Sequence, residues 1–346
     1  MESKEFANKL ITWYLQNKRD LPWRNTTNPY HIWLSEIILQ QTKISQGLPY
    51  YLRFVEQFPT IHDLANASEE SVLKLWQGLG YYSRARNLHH TAQIIHEKYQ
   101  GNFPNNFKDL LQLKGIGPYT AAAIASFAFK EAVPVVDGNV FRVLSRYLGI
   151  KTDIANSKAL KEFTSVAKEL IDPKQPDLFN QAMMEFGSEH CSVHQPKCEN
   201  CIFNTSCWAL ANQKVNVLPI KIKKLKTKKR HFLYLVLQDL NGNIALFKRD
   251  KSDIWAGMYE FLLVEKDTPW EIEHLKPQID SFEWSKIVQD LQWTEPMVKH
   301  KLTHQDLEVR FVKVLLNSPF KGMFRLEEAN QLPMPEIIHD FMQKLL

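Results

Sequence analysis

Hydrophobic periodicity changes once along this chain, and that change limits the folds open to it. Up to about residue 212, apolar residues recur at three- and four-residue spacings through 5–16, 31–44, 68–77, 84–99, 105–112, 119–129, 139–147 and 158–170. This is the pattern of helices that each bury one face. Beyond Arg230 the runs HFLYLVLQD, NIALFKRD, MYEFLLVE and LEVRFVKVLL are rich in branched and aromatic residues, and Asn241-Gly242 marks a hairpin turn. Pro333 and Pro335 then introduce a short closing helix. Between the two textures, residues 213–230 (QKVNVLPIKIKKLKTKKR) carry eight Lys or Arg and no acid. Such a stretch is either a solvated linker or a tether that tracks phosphates. The sequence thus predicts a multidomain chain, with an all-α domain over 1–212, a basic linker over 213–230 and an α+β domain over 231–346. At 346 residues, both domains are long enough to bury a core.

Composition narrows the class further. With 44% hydrophobic and 23% charged residues, the chain is globular rather than disordered. Its most apolar stretch, Ala121 to Val136, is interrupted by Lys130 and Glu131, which argues against a membrane span. The start, MESKEFANKL, lacks the apolar core of a signal peptide. The expected setting is therefore the cytoplasm, where thiols stay reduced and grouped cysteines point to a metal before they point to disulfides.

All four cysteines lie together, at Cys191, Cys198, Cys201 and Cys207. Four thiolates can hold tetrahedral zinc or a [4Fe–4S] cluster. Structural zinc sites usually pair two short Cys turns and this run has only one, so the uneven spacing favours a loop around a single cluster over 191–207. A second motif, Leu113-Lys114-Gly115-Ile116-Gly117-Pro118-Tyr119-Thr120, falls between two helical patterns. Its glycines, Gly115 and Gly117, permit a tight turn and close backbone approach, and the helix that follows directs free N–H groups outward. A helix-hairpin-helix that grips a DNA phosphate is built this way, as is an ordinary interhelical turn.

Two carboxylates stand in apolar settings. Glu36 has Ile32, Trp33, Leu39 and Gln40 as helical neighbours. Burial there would raise its pKa and fit it for general acid work, whereas a solvated helix face would not. Asp137 follows Val133-Pro134-Val135-Val136 and precedes Gly138-Asn139-Val140, the position of a helix N-cap. The first-turn N–H groups of the helix donate to a carboxylate at the N-cap and favour its ionised form.

Leu21-Pro22-Trp23-Arg24, Trp33-Leu34-Ser35-Glu36, Leu39-Gln40-Gln41-Thr42 and Gly78-Leu79-Gly80-Tyr81-Tyr82-Ser83-Arg84-Ala85-Arg86 precede the hairpin. Val136-Asp137-Gly138-Asn139-Val140 and Phe179-Asn180-Gln181-Ala182-Met183-Met184-Glu185 follow it, before the cysteine loop. In this order the chain resembles, over nearly its whole length, the adenine DNA glycosylases of the MutY type in the helix-hairpin-helix DNA glycosylase superfamily. The resemblance implies a monomeric base excision repair enzyme that removes adenine mispaired with 8-oxoguanine or G in duplex DNA, carries a [4Fe–4S] cluster and leaves an abasic site.

Carried over residue by residue, the resemblance makes Glu36 the acid that protonates N7 of a flipped adenine. Asp137 becomes the carboxylate that stabilises the resulting oxocarbenium-like sugar, with Tyr119 and Asn139 in support. It makes Trp23, Arg24, Leu39 and Gln181 pocket residues and Gln41 and Tyr81 residues inserted into the duplex, while Arg84 and Arg86 meet phosphates. Relatives that cut the strand place a Schiff-base lysine where this chain has Tyr119. Phe141 likewise stands where some members carry a lysine that traps the product sugar. The C-terminal domain resembles the MutT/Nudix-like module that reads 8-oxoguanine, without an acidic Nudix box. Where the family's recognition loop commonly reads Phe-Ser-His, this chain has Leu302-Thr303-His304, so the resemblance assigns Thr303 and His304 to the oxidised base.

Overall fold

The computed structural model describes residues 3–222, 227–250, 253–294 and 296–345. By contact the chain forms two compact units: Met1–Asn66 with Asn87–Lys223, and Ala67–Arg86 with Lys224–Leu346.

The first unit is helical. Its elements are α1 (Ser3–Asn17), α2 (Pro29–Ile38), α3 (Ile44–Gln57) and α4 (Ile61–Asn66). Next in the chain come α5 (Glu69–Trp76), which groups with the second unit, and α6 (Ser83–Tyr99), which begins there. The first unit then continues through α7 (Phe107–Leu110), α8 (Pro118–Phe129), α9 (Gly138–Leu148), α10 (Ser157–Leu170), α11 (Pro176–Glu185) and α12 (Trp208–Ala211). Local chemistry sets several starts. Asn28 caps α2 through Tyr30 N–H, and Pro29, Pro118 and Pro176 open their helices where a missing N–H costs nothing. The core of the unit packs Phe6, Leu10 and Tyr14 of α1 against Phe179 and Met183 of α11, Leu144 of α9 and Phe163 of α10. Phe141 is half-buried there, edge-on to Phe163 at 4.8 Å.

The helical reading of 31–44 runs too far. α2 ends at Ile38, and Gln41 turns the chain with a φ of 54° before α3 begins. Periodicity missed the break because no Gly or Pro marks it. It also left α3, α4 and α11 unassigned.

In the second unit, the strands are β1 (Lys228–Asp239), β2 (Ile244–Ala245), β3 (Phe247–Lys248), β4 (Tyr259–Glu260), β5 (Leu262–Lys266), β6 (Val288–Trp293), β7 (Val298–Lys301), β8 (Gln305–Leu316) and β9 (Met323–Phe324). With them are α13 (Leu275–Asp280), α14 (Leu326–Gln331) and α15 (Glu336–Met342). Among the described residues the main sheet is seven-stranded and mixed. β1 and β8 run parallel at its centre from Lys228↔Gln305 to Asp239↔Leu316, and β5, β6 and β7 pair antiparallel with one or the other. Leu233, Leu235 and Leu237 alternate onto the face that also buries Val312, Val314 and Leu316. β6 and β9 had no sequence expectation: their residues are half-exposed or exposed and show no run of branched and aromatic side chains.

The basic segment 213–230 is not one uniform tether. Ile154 N–H donates to the Ile220 carbonyl at 2.9 Å and Ile222 N–H to Asp153 at 3.2 Å, which anchors residues 220–222 on the first unit. Lys228, Lys229 and Arg230 already belong to β1, where Arg230 is spent on Asp253 and Glu265. Residues 223–226 of the segment lie outside the described residues. Among the described residues, no helix is long and apolar enough to cross a membrane.

Candidate active site

Glu36 sits in the last turn of α2, a helix buried on nearly every side, and is itself 7% exposed. From the second position of α8, directly after the hairpin glycines, the Tyr119 hydroxyl donates to Glu36 Oε2 at 2.7 Å. Burial pushes the Glu36 carboxyl up to about 7; the nearby Asp137 charge adds to the rise, while the Tyr119 bond and the Arg24 charge oppose it.

Asp137 caps α9. Its Oδ1 accepts from Asn139 N–H at 2.9 Å and Val140 N–H at 2.8 Å, and its Oδ2 accepts from Asn139 Nδ2 at 2.7 Å. The cap pattern alone predicts a carboxyl held below its ordinary range. Burial instead raises it, against those three donors and the Arg142 charge. Both acids are thus desolvated, but one phenol opposes burial at Glu36 and three N–H donors oppose it at Asp137. The difference in hydrogen bonding is what separates them.

Both line one cavity of about 640 Å³, together with Tyr119, Asn139, Trp23, Arg24, Leu39 and Gln181. The structure thus brings together five chain segments spread over more than 150 residues of sequence. Trp23 follows Pro22 in a short 3-10 turn and meets Tyr51 edge-on at 5.0 Å. Gln181 accepts from the Tyr14 hydroxyl at 2.7 Å.

Sequence reasoning missed Glu185, Arg19 and Arg142. Glu185 is fully buried, and although burial pulls its pKa upward, hydrogen bonds from Arg19 and Arg24 hold it down at about 2. Arg24 Nη2 donates to Glu185 Oε2 at 2.6 Å, which fixes this guanidinium on the cavity wall. Arg142 donates to Asn139 Oδ1 at 2.7 Å and to the carbonyls of Gly187 and Cys191 at 2.5 and 2.8 Å, so the amide that holds Asp137 is itself held. A Cβ at Gly187 would stand 2.6 Å from Asn139 Cβ, and only glycine lets that turn come so close. Glu185 ends the motif that starts at Phe179, a signal that points to it; Arg142 lies in no such motif.

Other expected residues lie elsewhere. Gln41 and Tyr81 are exposed, with φ of 54° and 49°, and neither lines this cavity. Within the second unit the Tyr81 hydroxyl is hydrogen-bonded to Thr303, in the exposed turn that also holds His304 between β7 and β8. Arg84 and Arg86, expected at phosphates, are hydrogen-bonded to carbonyls of the second unit. Arg84 donates to the Leu79 and Gly80 carbonyls at 3.2 Å and lies over the Trp76 ring, and Arg86 donates to the Ala256 carbonyl at 2.7 Å. The Gly80 carbonyl also accepts from Trp76 Nε1 at 3.0 Å, so this turn holds the Arg84 guanidinium against the Trp76 ring. At the hairpin, Gly115 has a φ of 79° and its missing Cβ would clash with Asn87, whereas Gly117 faces open space at the start of α8.

Cys191, Cys198, Cys201 and Cys207 line one small cavity beside Arg146 and His190. Arg146 donates to Cys191 Sγ at 3.4 Å, and Phe203 N–H to Cys201 Sγ at 3.4 Å. Burial pushes the Cys201 thiol up to about 11, so a thiolate there needs a cation to offset it. Among the described residues, no three His, Cys, Asp or Glu side chains are placed to hold a single metal ion.

The chain matches the model of the HhH-GPD superfamily of base excision DNA repair proteins over residues 34–169 and that of the NUDIX domain over 233–344. It is 38% identical over 299 residues to the adenine DNA glycosylase of Arabidopsis thaliana, which covers 75% of this chain but only 47% of that longer protein. To the adenine DNA glycosylase of Buchnera aphidicola subsp. Acyrthosiphon pisum it is 32% identical over 94% of this chain and 91% of that one. Among solved structures, a thermostable thymine-DNA glycosylase aligns with a TM-score of 0.56 and 29% identity, over 61% of this chain and 97% of that one. An endonuclease III trapped on DNA shares the fold at a TM-score of 0.53 and 21% identity, over 62% of this chain and 99% of that one. With a helical glycosylase region, a NUDIX region and relatives aligned along almost all of its length, the chain belongs to the adenine DNA glycosylases, hydrolases of N-glycosyl bonds in base excision repair.

Proposed function

We propose that this chain excises adenine mispaired with 8-oxoguanine, or with G, from duplex DNA and leaves an intact strand with an abasic site. The observation that carries the reading is the shared cavity of Glu36 and Asp137, a buried and a half-buried carboxyl in unlike hydrogen-bonding surroundings. Adenine leaves the stack at a cost of a few kcal/mol and enters this cavity. Glu36, protonated near neutral pH, delivers its proton to N7. The C1′–N9 bond then breaks with its electron pair going to the base, and positive charge develops on the sugar. Asp137, held by Asn139 and Val140, stabilises that charge until water adds at C1′ and loses a proton. Arg24, fixed by Glu185, and Gln181, fixed by Tyr14, supply oriented polar groups to the bound base.

Tyr119 supports hydrolysis without strand cleavage, since a phenol bonded to Glu36 cannot form an imine with the sugar. Gly115 and Gly117 are the proposed phosphate grip. Thr303, beside Tyr81, is the proposed reader of the oxidised base, with His304 next to it.

Duplexes with A opposite 8-oxoguanine, A opposite G, or a thymine glycol, each developed with and without alkali, test the reading. Adenine release with strand breakage only after alkali is expected; efficient nicking without alkali, or preference for the glycol, would refute it.

We further propose a [4Fe–4S] cluster on Cys191, Cys198, Cys201 and Cys207. Four cysteines on one cavity fit a cluster bound by four thiolates, whose excess negative charge the Arg146 guanidinium at 3.4 Å from Cys191 Sγ offsets. Such a group contributes folding energy to its loop when bound. Protein purified without air is expected to contain about four iron and four sulfide per chain; one zinc and no visible absorption would exclude the cluster.

A further inference from the structure

On the first unit, His62 of α4 and His96 of α6 bring their Nδ1 atoms to 2.6 Å, with ring centroids 4.9 Å apart and planes at 80°. Neither residue belongs to the cavity described above. Two neutral imidazoles that meet nitrogen to nitrogen must share one proton, since each has one donor and one acceptor. His62 is exposed and could satisfy that nitrogen with water instead.

Its position is held from behind. Gly101, at a φ of 83° in the turn that closes α6, leaves room for the His62 ring: a Cβ there would lie 2.3 Å from His62 Nε2. Gly101 N–H donates to the Ile95 carbonyl at 3.0 Å, which fixes this turn to the helix carrying His96. The adjacent Asp63 is engaged in its own turn, accepting from Thr60 N–H at 2.9 Å and the Thr60 hydroxyl at 2.6 Å. His62 also lines a second cavity, of about 630 Å³, with Thr60, Asn102 and Phe103.

We propose that His62 and His96 form a two-imidazole site for a divalent late transition ion such as nickel, copper or zinc. The ion takes the place of the shared proton, which moves to Nε2 of the ring that carried it, and binds both Nδ1 atoms. Imidazole is a preferred ligand of these ions, with metal–nitrogen distances of about 2.0–2.1 Å. On a tetrahedral ion that distance sets the two nitrogens about 3.3 Å apart. Rotation of the exposed His62 ring by less than an ångström at its tip reaches this from 2.6 Å. Among the described residues no third His, Cys, Asp or Glu completes the group, so the remaining positions belong to water. The bound ion clips α4 to α6 and stabilises the first unit in proportion to ion concentration.

Nickel titration of the untagged full-length chain by calorimetry tests the site. The wild type is expected to bind one saturable equivalent. His62→Asn and His96→Asn should each weaken binding by more than the roughly 10–100-fold that loss of an outer-shell partner costs. His90→Asn, on the exposed face of α6, should change nothing. Gly101→Ala should also weaken binding while both imidazoles remain, because its Cβ displaces the His62 ring. Nickel-edge X-ray absorption should then show two imidazole ligands. Absence of binding in the wild type overturns the proposal, and so does unchanged binding in either histidine variant or loss in His90→Asn.

Discussion

Glu36 and Asp137 show how far one residue type can be moved by its neighbours. A general acid must hold its proton, so excision should fall as pH rises through about 7, where burial places the Glu36 carboxyl. Glu36→Gln should still bind the mispair but lose roughly 10²–10⁴-fold in single-turnover rate, the usual worth of a positioned acid. The same substitution should raise stability at high pH. The folded chain binds this proton more tightly than the unfolded chain, whose glutamate titrates near 4.5. Burying Glu36 therefore costs nothing below that range and up to about 3 kcal/mol once the pH is above 7. Denaturant melts should find Glu36→Gln more stable than the wild type at pH 8 and equal to it at pH 4. Equal stability at both pH values would mean that Glu36 is not desolvated. Asp137→Asn removes a charge but keeps an oxygen for the Asn139 and Val140 N–H groups, so it should fold, bind and fail to cleave.

At the scale of elements, the cavity depends on how the start of α9 meets the turn that follows α11. Gly187 stands against Asn139, and Arg142 ties that asparagine to the Gly187 and Cys191 carbonyls. Gly187→Ala inserts a methyl where the nearest atom is 2.6 Å away and part of the backbone lies at 3.0 Å. It should cost about 1–3 kcal/mol as an overpacking change. Because the displaced residue carries the Nδ2 donor to Asp137, excision should slow more than stability alone explains. Normal single-turnover rates in the folded Gly187→Ala protein would show that the Asn139 bond does not position Asp137. This contact was not legible in the sequence: Gly187 and Asn139 are 48 positions apart, and no periodicity or motif pairs them. The Asp137 cap was legible, because capping is a relation between residues two and three positions apart.

For the whole molecule, the division into units differs from the division read along the chain. Residues 67–86 lie within the helical run yet group with the C-terminal residues. Lys74 donates to the Asn330 carbonyl at 2.6 Å, Lys248 pairs with Glu70 at 2.8 Å, and Arg86 donates to the Ala256 carbonyl. Truncation after Asn212 should therefore leave adenine excision, which belongs to the first unit, but expose residues 67–86 to faster hydrogen exchange. It should also erase much of the preference for 8-oxoguanine over G, through loss of Thr303 from beside Tyr81. Thr303→Ala should lose less, since one hydrogen bond is worth about 0.5–1.5 kcal/mol. If truncation weakens both mispairs equally, Thr303 and His304 are not readers of the oxidised base.

Local relations were therefore settled by the sequence itself. The change from helical to strand texture, the cap at Asp137, the hairpin glycines and the grouping of the cysteines all follow from residues within a few positions of one another. Their physics is backbone geometry and short-range hydrogen bonding. What the tertiary structure decided is long-range. It brought Tyr119 to Glu36 across 83 residues and Arg19 to Glu185 across 166, and it turned Arg84 and Arg86 inward. Desolvation is a property of everything packed around a group, which is why the rise at Asp137, against its own cap, could be read only from the folded chain.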